Sequence, residues 1–225
     1  MFDEFFWLFP AAIIGAAVFL FRRTRALVEE RLRKVARRRG GRLAPAPWIL
    51  YPRLVLELGR SDMQVSAMYG GGRSNGSGQF FTWVGSDRYP AADFDVRRMP
   101  ARVGRLERIG WTRADTRDSA FDAVFWMRKE HTDTARAVLS DEVRMALLAL
   151  DEKLGVRVRI GRAPAYRDGT MVHGEHEPRL TASIRGLPPE VGDIERLVDL
   201  TALVHERLTA QRLEASPTEP ASVRL

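Results

Sequence analysis

From residue 5 to residue 21 the chain reads FFWLFPAAIIGAAVFLF, seventeen residues without a charge. A helix rises about 1.5 Å per residue, so this run covers roughly 25 Å of hydrocarbon, a short but sufficient membrane span. It must be hidden from water in lipid or in a protein core, and that choice constrains everything downstream. The flanks favour lipid. Asp3 and Glu4 come before the run, and Arg22, Arg23, Arg25, Arg31, Arg33, Lys34, Arg37, Arg38 and Arg39 come after it. A cleavable secretory signal has the opposite order, with positive charge first and a small-residue cleavage site last. Soluble core helices seldom run this long without a polar residue. The positive-inside rule therefore predicts a single-pass protein of the inner membrane, with its N-terminus outside and residues 22–225 in the cytoplasm.

The chain has 36 basic and 29 acidic residues, a net charge of +7 that would ordinarily point to nucleic acid. Residues 22–42 hold ten basic side chains and two acidic ones, whereas residues 43–225 hold 26 and 25. The excess is one juxtamembrane block, already explained by topology. With no recognition helix and no RNP-like aromatic motif beside it, nucleic acid is not an expected partner. Cysteine is absent, which excludes a disulfide framework and any Cys-ligated metal, and agrees with a reducing compartment.

Helical character continues over 24–39, where Leu27, Val28, Leu32, Val35 and Ala36 form a narrow apolar stripe among arginines, and Gly40 and Gly41 end it. No glycine or proline interrupts residues 16–39, which favours a stalk continuing the transmembrane helix. The competing role is a helix lying on the inner leaflet, its arginines on anionic headgroups. In either role Arg22, Arg23, Arg25, Arg37, Arg38 and Arg39 are the candidate membrane-surface residues.

Beyond a Pro-containing connector at 43–52 the apolar period changes from helical to alternating. Strands are expected at 53–59, 63–69, 79–85 and 93–99, a short one at 105–111, and another at 121–129. Two helices follow, one capped by Thr132 or Asp133 and one capped by Ser140 and running to Leu154. Strands at 156–161 and 180–186 flank a polar loop, and an amphipathic helix closes the domain over 190–212. This order lacks the alternation that builds parallel sheets, so the fold class is α+β: an N-terminal transmembrane helix plus a cytoplasmic antiparallel-sheet domain with packed helices. The expected divisions are an anchor at 1–21, a basic juxtamembrane helix at 22–42, the domain at 43–213 and a flexible tail at 214–225.

The phrase TRDSAFDAVFWM, with Phe121, Asp122 and Phe125, leads into the Leu-rich stretch ARAVLSDEVRMALLAL. Over residues 115–213 this pattern resembles uncharacterised bacterial single-span membrane-anchored proteins. The resemblance implies an anchor and an α+β domain and brings no catalytic residue with it.

Few residues offer chemistry. VHGEHEP places His173, Glu175, His176 and Glu177 together, and His173 and His176 are possible metal ligands for a metal-dependent hydrolase. Their spacing misses the four-residue step of a helical zinc motif, and Gly174 and Pro178 predict a solvated loop. The glycine-rich run at 70–78 lacks the Lys-Ser/Thr ending of a nucleotide loop and is expected to be a hairpin loop. His131 and His205 stand alone. Of the carboxylates Asp93, Asp95, Asp115, Asp118 and Asp122, only Asp122 stands out, as a structural brace beside Phe121. Alternation puts Phe81 and Trp83 on one face of their strand and Phe80 on the other, and sets Trp126 opposite Phe125. Phe81, Trp83 and Trp126 are therefore the candidate partner-binding residues. The expectation is a non-enzymatic scaffold or accessory subunit whose partners are the bilayer and other membrane-complex subunits, with no cofactor and no small-molecule substrate identified. A membrane-surface lipid- or ligand-sensing domain is the alternative.

Overall fold

The helical pattern of the apolar run does not stop at the arginines. In the computed structural model, which describes residues 8–48, 50–69, 78–85, 94–99, 109–150, 154–167, 170–186 and 189–215, α1 is one helix of 32 residues, Leu8–Arg39. Gly40 ends it in left-handed backbone at φ 73°. Gly41 then passes so close to the sheet that a Cβ there would stand 2.5 Å from Leu56 Cδ2 and 2.9 Å from the Val55 carbonyl. The chain pairs at once as β1 (Arg42–Ala44), where the sequence predicts only a connector.

The strands β2 (Arg53–Leu58), β3 (Ser61–Tyr69), β4 (Gly78–Gly85) and β5 (Phe94–Arg98) fall where the alternation places them. Gly59, at φ 61°, supplies the turn between β2 and β3. Of the strand expected at 105–111, residues 105–108 lie outside the described ones and 109–110 form a turn; β6 (Trp111–Arg113) begins only at its last residue. At 121–129 the expected strand is corrected. Its first half is α2 (Ser119–Val124), because the Asp118 carboxylate accepts the backbone N–H groups of Ala120 and Phe121, each at 3.1 Å, and starts a helical turn. Only β7 (Phe125–Arg128) is extended. Asp122 accepts the Thr116 amide at 3.1 Å and its hydroxyl at 2.8 Å, bracing the turn in which Arg117 adopts a φ of 67°.

After α3 (Thr132–Val138), Ser140 caps α4 (Asp141–Leu148), which is shorter than its apolar spacing predicts. The polar loop expected between 161 and 180 is also corrected. β8 (Arg157–Arg167) and β9 (Thr170–Arg185) form a long hairpin paired out to Arg167 opposite Thr170. The closing helix is α5 (Val191–Ala215). The tail at 216–225 and the glycine run at 70–77 lie outside the described residues.

Among the described residues nine strands join one sheet in the order β1-β2-β3-β4-β9-β8-β5-β7-β6, and their pairings are antiparallel. The α+β class and its large antiparallel sheet thus stand as expected. Buried side chains from all five helices, among them Leu32, Phe121, Val138, Leu147 and Leu200, gather in one cluster on one sheet face with Leu54, Val65, Phe80, Val96 and Leu180. Thr82 and Thr201 are polar members of this core. Their hydroxyls bond each other, and that of Thr201 also donates to the Leu197 carbonyl at 2.7 Å, so neither is buried unsatisfied.

The boundary expected at residue 42 falls inside a packed unit. Val28, Leu32 and Val35 of α1 belong to the core, whereas Leu27 lies off that stripe and is exposed. Arg31 meets Glu190 at 3.1 Å, Arg38 meets Glu195 at 3.2 Å and Arg39 meets Asp199 at 2.7 Å. These partners advance along α1 and α5 in the same sense, so the two helices run parallel. Each exposed pair stabilises little, but together they fix the register. Among the described residues no helix is long and apolar enough to cross a membrane, and the first three residues of the run expected to span, 5–7, are outside them.

Candidate membrane and partner surfaces

The first half of α1 touches almost nothing. Residues 10–20 are all exposed, with Ile14 and Phe19 each 64% accessible, although this stretch is apolar on every side. Water-exposed apolar surface of this extent marks a contact surface, since folding within the chain leaves it uncovered. Directly below it Arg22 and Arg23 are exposed, as is Arg37 near the far end of the helix. The other three arginines expected at the membrane surface turn to protein. Arg25 donates to the carbonyls of Leu50 at 2.9 Å and Ala46 at 3.0 Å, and Arg38 and Arg39 bind α5 as described. Sequence spacing could not separate the two sets, because their acceptors lie far along the chain.

A second surface is the sheet face opposite the core. Strand register places Phe81 and Trp83 of β4 there, half-buried, with ring centroids 5.0 Å apart, while Phe80 and Val84 are fully buried on the other side. Trp126 is likewise half-buried and Phe125 fully buried. The three aromatics therefore share one face but not one cluster, since β9, β8 and β5 separate β4 from β7.

Strands β8, β5, β7 and β6 carry a further group that sequence spacing does not reveal. Arg97 pairs across β5–β8 with Arg157 and across β5–β7 with Trp126, and Trp111 pairs with Arg128, so all five side chains rise on the outer face. The Trp111 ring is nearly buried beneath guanidinium groups, with Arg97 Cζ 3.9 Å and Arg128 Cζ 4.7 Å from its centroid. Stacked cations of this kind contribute about 0.5–2 kcal/mol each. Asp95 is the carboxylate among them. Arg157 grips it with two bonds, Nε to Oδ1 at 2.9 Å and Nη2 to Oδ2 at 2.5 Å, and Arg128 Nε stands 4.0 Å away. One acid thus faces several arginines. The domain is nearly neutral in sum, yet two-residue alternation gathers arginines at this end of the outer face, while Glu57 and Asp62 pair on the same face at the β2–β3 end, a pattern that block-wise charge counting averages away.

The candidate metal ligands His173 and His176 lie in β9, so the loop expected there is replaced by strand. His176 pairs with Pro164, and the next pair is Ala165 with Val172, which leaves His173 in the register shift between them. The side chains of 171–178 lie outside the described ones. Among the described residues no group of three His, Asp or Glu side chains is placed to hold a metal ion. His205 sits in α5, where its carbonyl accepts the Thr209 hydroxyl at 2.8 Å. Of the carboxylates singled out near the sheet, Asp93 lies outside the described residues and the others serve structure: Asp95 binds Arg157, Asp115 binds Arg136 at 2.6 Å, Asp118 caps α2 and Asp122 braces residue 116. Backbone donors from Phe121 and Ala120, joined by Arg144, hold the Asp118 carboxyl below the ordinary aspartate value.

Compared with protein-family models, curated proteins and solved structures, the chain matches none.

Proposed function

We propose that this chain is a non-enzymatic, single-pass membrane protein whose α+β domain is a scaffold or accessory subunit of a larger membrane assembly. Residues 5–21 cross the inner membrane with the N-terminus outside, and the domain lies on the cytoplasmic side beneath an arginine collar. The observation that carries this reading is α1 itself. One unbroken helix packs on the domain along one stripe of its second half and is left bare and apolar over its first.

A break-free helix is a rigid mount rather than a tether. Since α1 packs through Val28, Leu32 and Val35, the domain follows the orientation of the segment in lipid. The outer sheet face, with Phe81, Trp83 and Trp126 around the Arg97–Trp111–Arg128 stack, is the docking surface for another subunit, and its charge suits a partner rich in carboxylates. Native membranes solubilised in mild detergent test this. The chain should migrate in a species larger than itself, and migration only as a free monomer would contradict the proposal. Protease added outside intact spheroplasts should leave the domain undigested.

The exposed Arg22, Arg23 and Arg37 favour a second reading, a lipid- or ligand-sensing domain at the membrane surface. Flotation of a chain lacking residues 1–20 separates the two. Sensing requires binding to anionic vesicles that weakens with salt, and the scaffold reading requires none.

A further inference from the structure

Where α1 leaves its apolar stretch, a distant piece of chain is fastened beside it. Arg25 holds the carbonyls of Ala46 and Leu50, and the Phe21 ring packs 5.4 Å from that of the buried Tyr51. The Leu50 amide donates to the Pro47 carbonyl at 2.9 Å, closing a turn with Trp48 at its first corner. The turn is thereby fixed at the level of residues 21–25, where the charge-free run ends and the arginines begin. The side chains of Trp48 and Leu50 do not fold inward. Trp48 is 65% exposed and Leu50 47%, in a domain that buries Leu54 and Leu56 a few residues later.

We infer that the turn at 45–51 is a second membrane contact, with Trp48 and Leu50 entering the headgroup layer beside the embedded helix. This rests on the proposed anchor and goes beyond it by naming a site in the folded domain that meets lipid. The occupant is the bilayer because the turn is held by Phe21 and Arg25, where the bare apolar stretch of 10–20 gives way to arginines, tryptophan favours the membrane–water interface, and Arg22 and Arg23, exposed at the same level of the helix, complement anionic headgroups. A helix lets a domain spin about its axis, and a second contact removes that freedom. α1 lies on the core face against β1 and β2, so its axis runs along the sheet. With rotation fixed, the arginine–tryptophan face looks sideways along the membrane, toward neighbouring subunits.

The chain has no cysteine, so single-cysteine variants of the full protein carry one nitroxide label each. The sites are Phe19→Cys in the anchor, Trp48→Cys and Leu50→Cys in the turn, and Ile109→Cys, an exposed control beside β6. The protein is reconstituted in vesicles of phosphatidylcholine with a minority of phosphatidylglycerol, and collisions with oxygen and with a water-soluble nickel chelate are measured. The label at 19 should see oxygen and no nickel. Labels at 48 and 50 should show nickel accessibility several-fold below that at 109, with raised oxygen accessibility. Adding Arg25→Gln should release the turn, returning 48 to the aqueous value while 19 stays in lipid. The inference is overturned if 48 and 50 match 109 while 19 is embedded, or if they are shielded from both reagents, which would place protein on the turn. A label at 19 that sees nickel freely overturns the anchor, and with it this contact.

Discussion

The two halves of α1 are the same helix in two different situations. Over 24–39 the buried residues Val28, Leu32 and Val35 recur at steps of four and three, one stripe matched to a sheet face, while the rest of the surface is mostly charged. Over 8–21 there is no polar side to turn outward, and the folded protein covers none of residues 10–20. Hydrophobicity summed along a window says that a helix must be hidden. Its distribution around the axis says from which medium. A stripe asks for a protein face, and an all-round apolar surface asks for surroundings on every side.

The sharpest way to break that comparison is to put one carboxylate in each half. Leu32→Asp buries an unpaired charge at a fully buried position and should abolish cooperative folding of the domain. Ile14→Asp should leave the thermal unfolding of the detergent-solubilised domain unchanged, and instead reduce the fraction of protein resistant to alkaline carbonate extraction from membranes. If Ile14→Asp unfolds the domain, residues 10–20 have a protein partner and the contrast is wrong.

Alanine asks the same question more gently. Leu32→Ala should cost about 2–5 kcal/mol in urea unfolding through lost burial and the cavity left behind, while Ile14→Ala should change domain stability by less than about 0.5 kcal/mol. Equal costs would mean that both halves pack alike.

How much of this was legible depended on where each signal resides. The strands β2 to β5, the helix cap Ser140 and the core residues of α5 could be read from alternation, capping chemistry and helical spacing, all local properties, whereas Thr132 is already helical and its hydroxyl donates to the Lys129 carbonyl. α2 was misread because Phe121, Phe125 and Met127 also fit a strand, and only the Asp118 cap resolves the choice. The β8–β9 hairpin was hidden because polar residues with Gly174 and Pro178 look like a loop, while their pairing is supplied by the opposing strand. Of the candidate surfaces, the alternation of Phe80, Phe81 and Trp83 was sufficient to assign faces. The Trp111 stack and the Arg25 clamp on residues 46–50 were not legible, since each joins residues whose proximity only the topology creates.

A smaller effect separates the sheet's polar face from its core. Asp95→Ala leaves Arg157 and Arg128 without their shared acceptor, and because both guanidinium groups are about a third exposed, solvent limits the cost to about 1–2 kcal/mol. A double-mutant cycle with Arg157→Ala should recover part of that as coupling. Additivity would mean that the pair is incidental and that Asp95 does not hold the arginine cluster in place.

The smallest effect is one of pH, and it reaches only one half of α1. Residues 8–21 carry no titratable side chain, so membrane association should stay flat from neutral pH into the carboxylate range. The second half carries Glu30, whose pKa lies below its ordinary value because the Lys34 ammonium one turn later, at 2.7 Å, donates to it and attracts it. Asp118 of the domain is depressed in the same direction, chiefly by the Phe121 amide. A carboxylate depressed in the folded state contributes stability that is fully present above its unfolded value, about 4.5 for Glu30 and 3.8 for Asp118, and is lost as pH falls through the folded value. Both groups are exposed, so the loss is slight. Lys34→Ala should move Glu30 back toward its ordinary titration, followed by carboxyl NMR, with Arg31 still lowering it, and slightly flatten the acid side of the melting-temperature profile without moving the membrane-bound fraction. If that fraction instead falls as the carboxylates protonate, attachment runs through the charged half of the helix, and the division of labour along α1 is overturned.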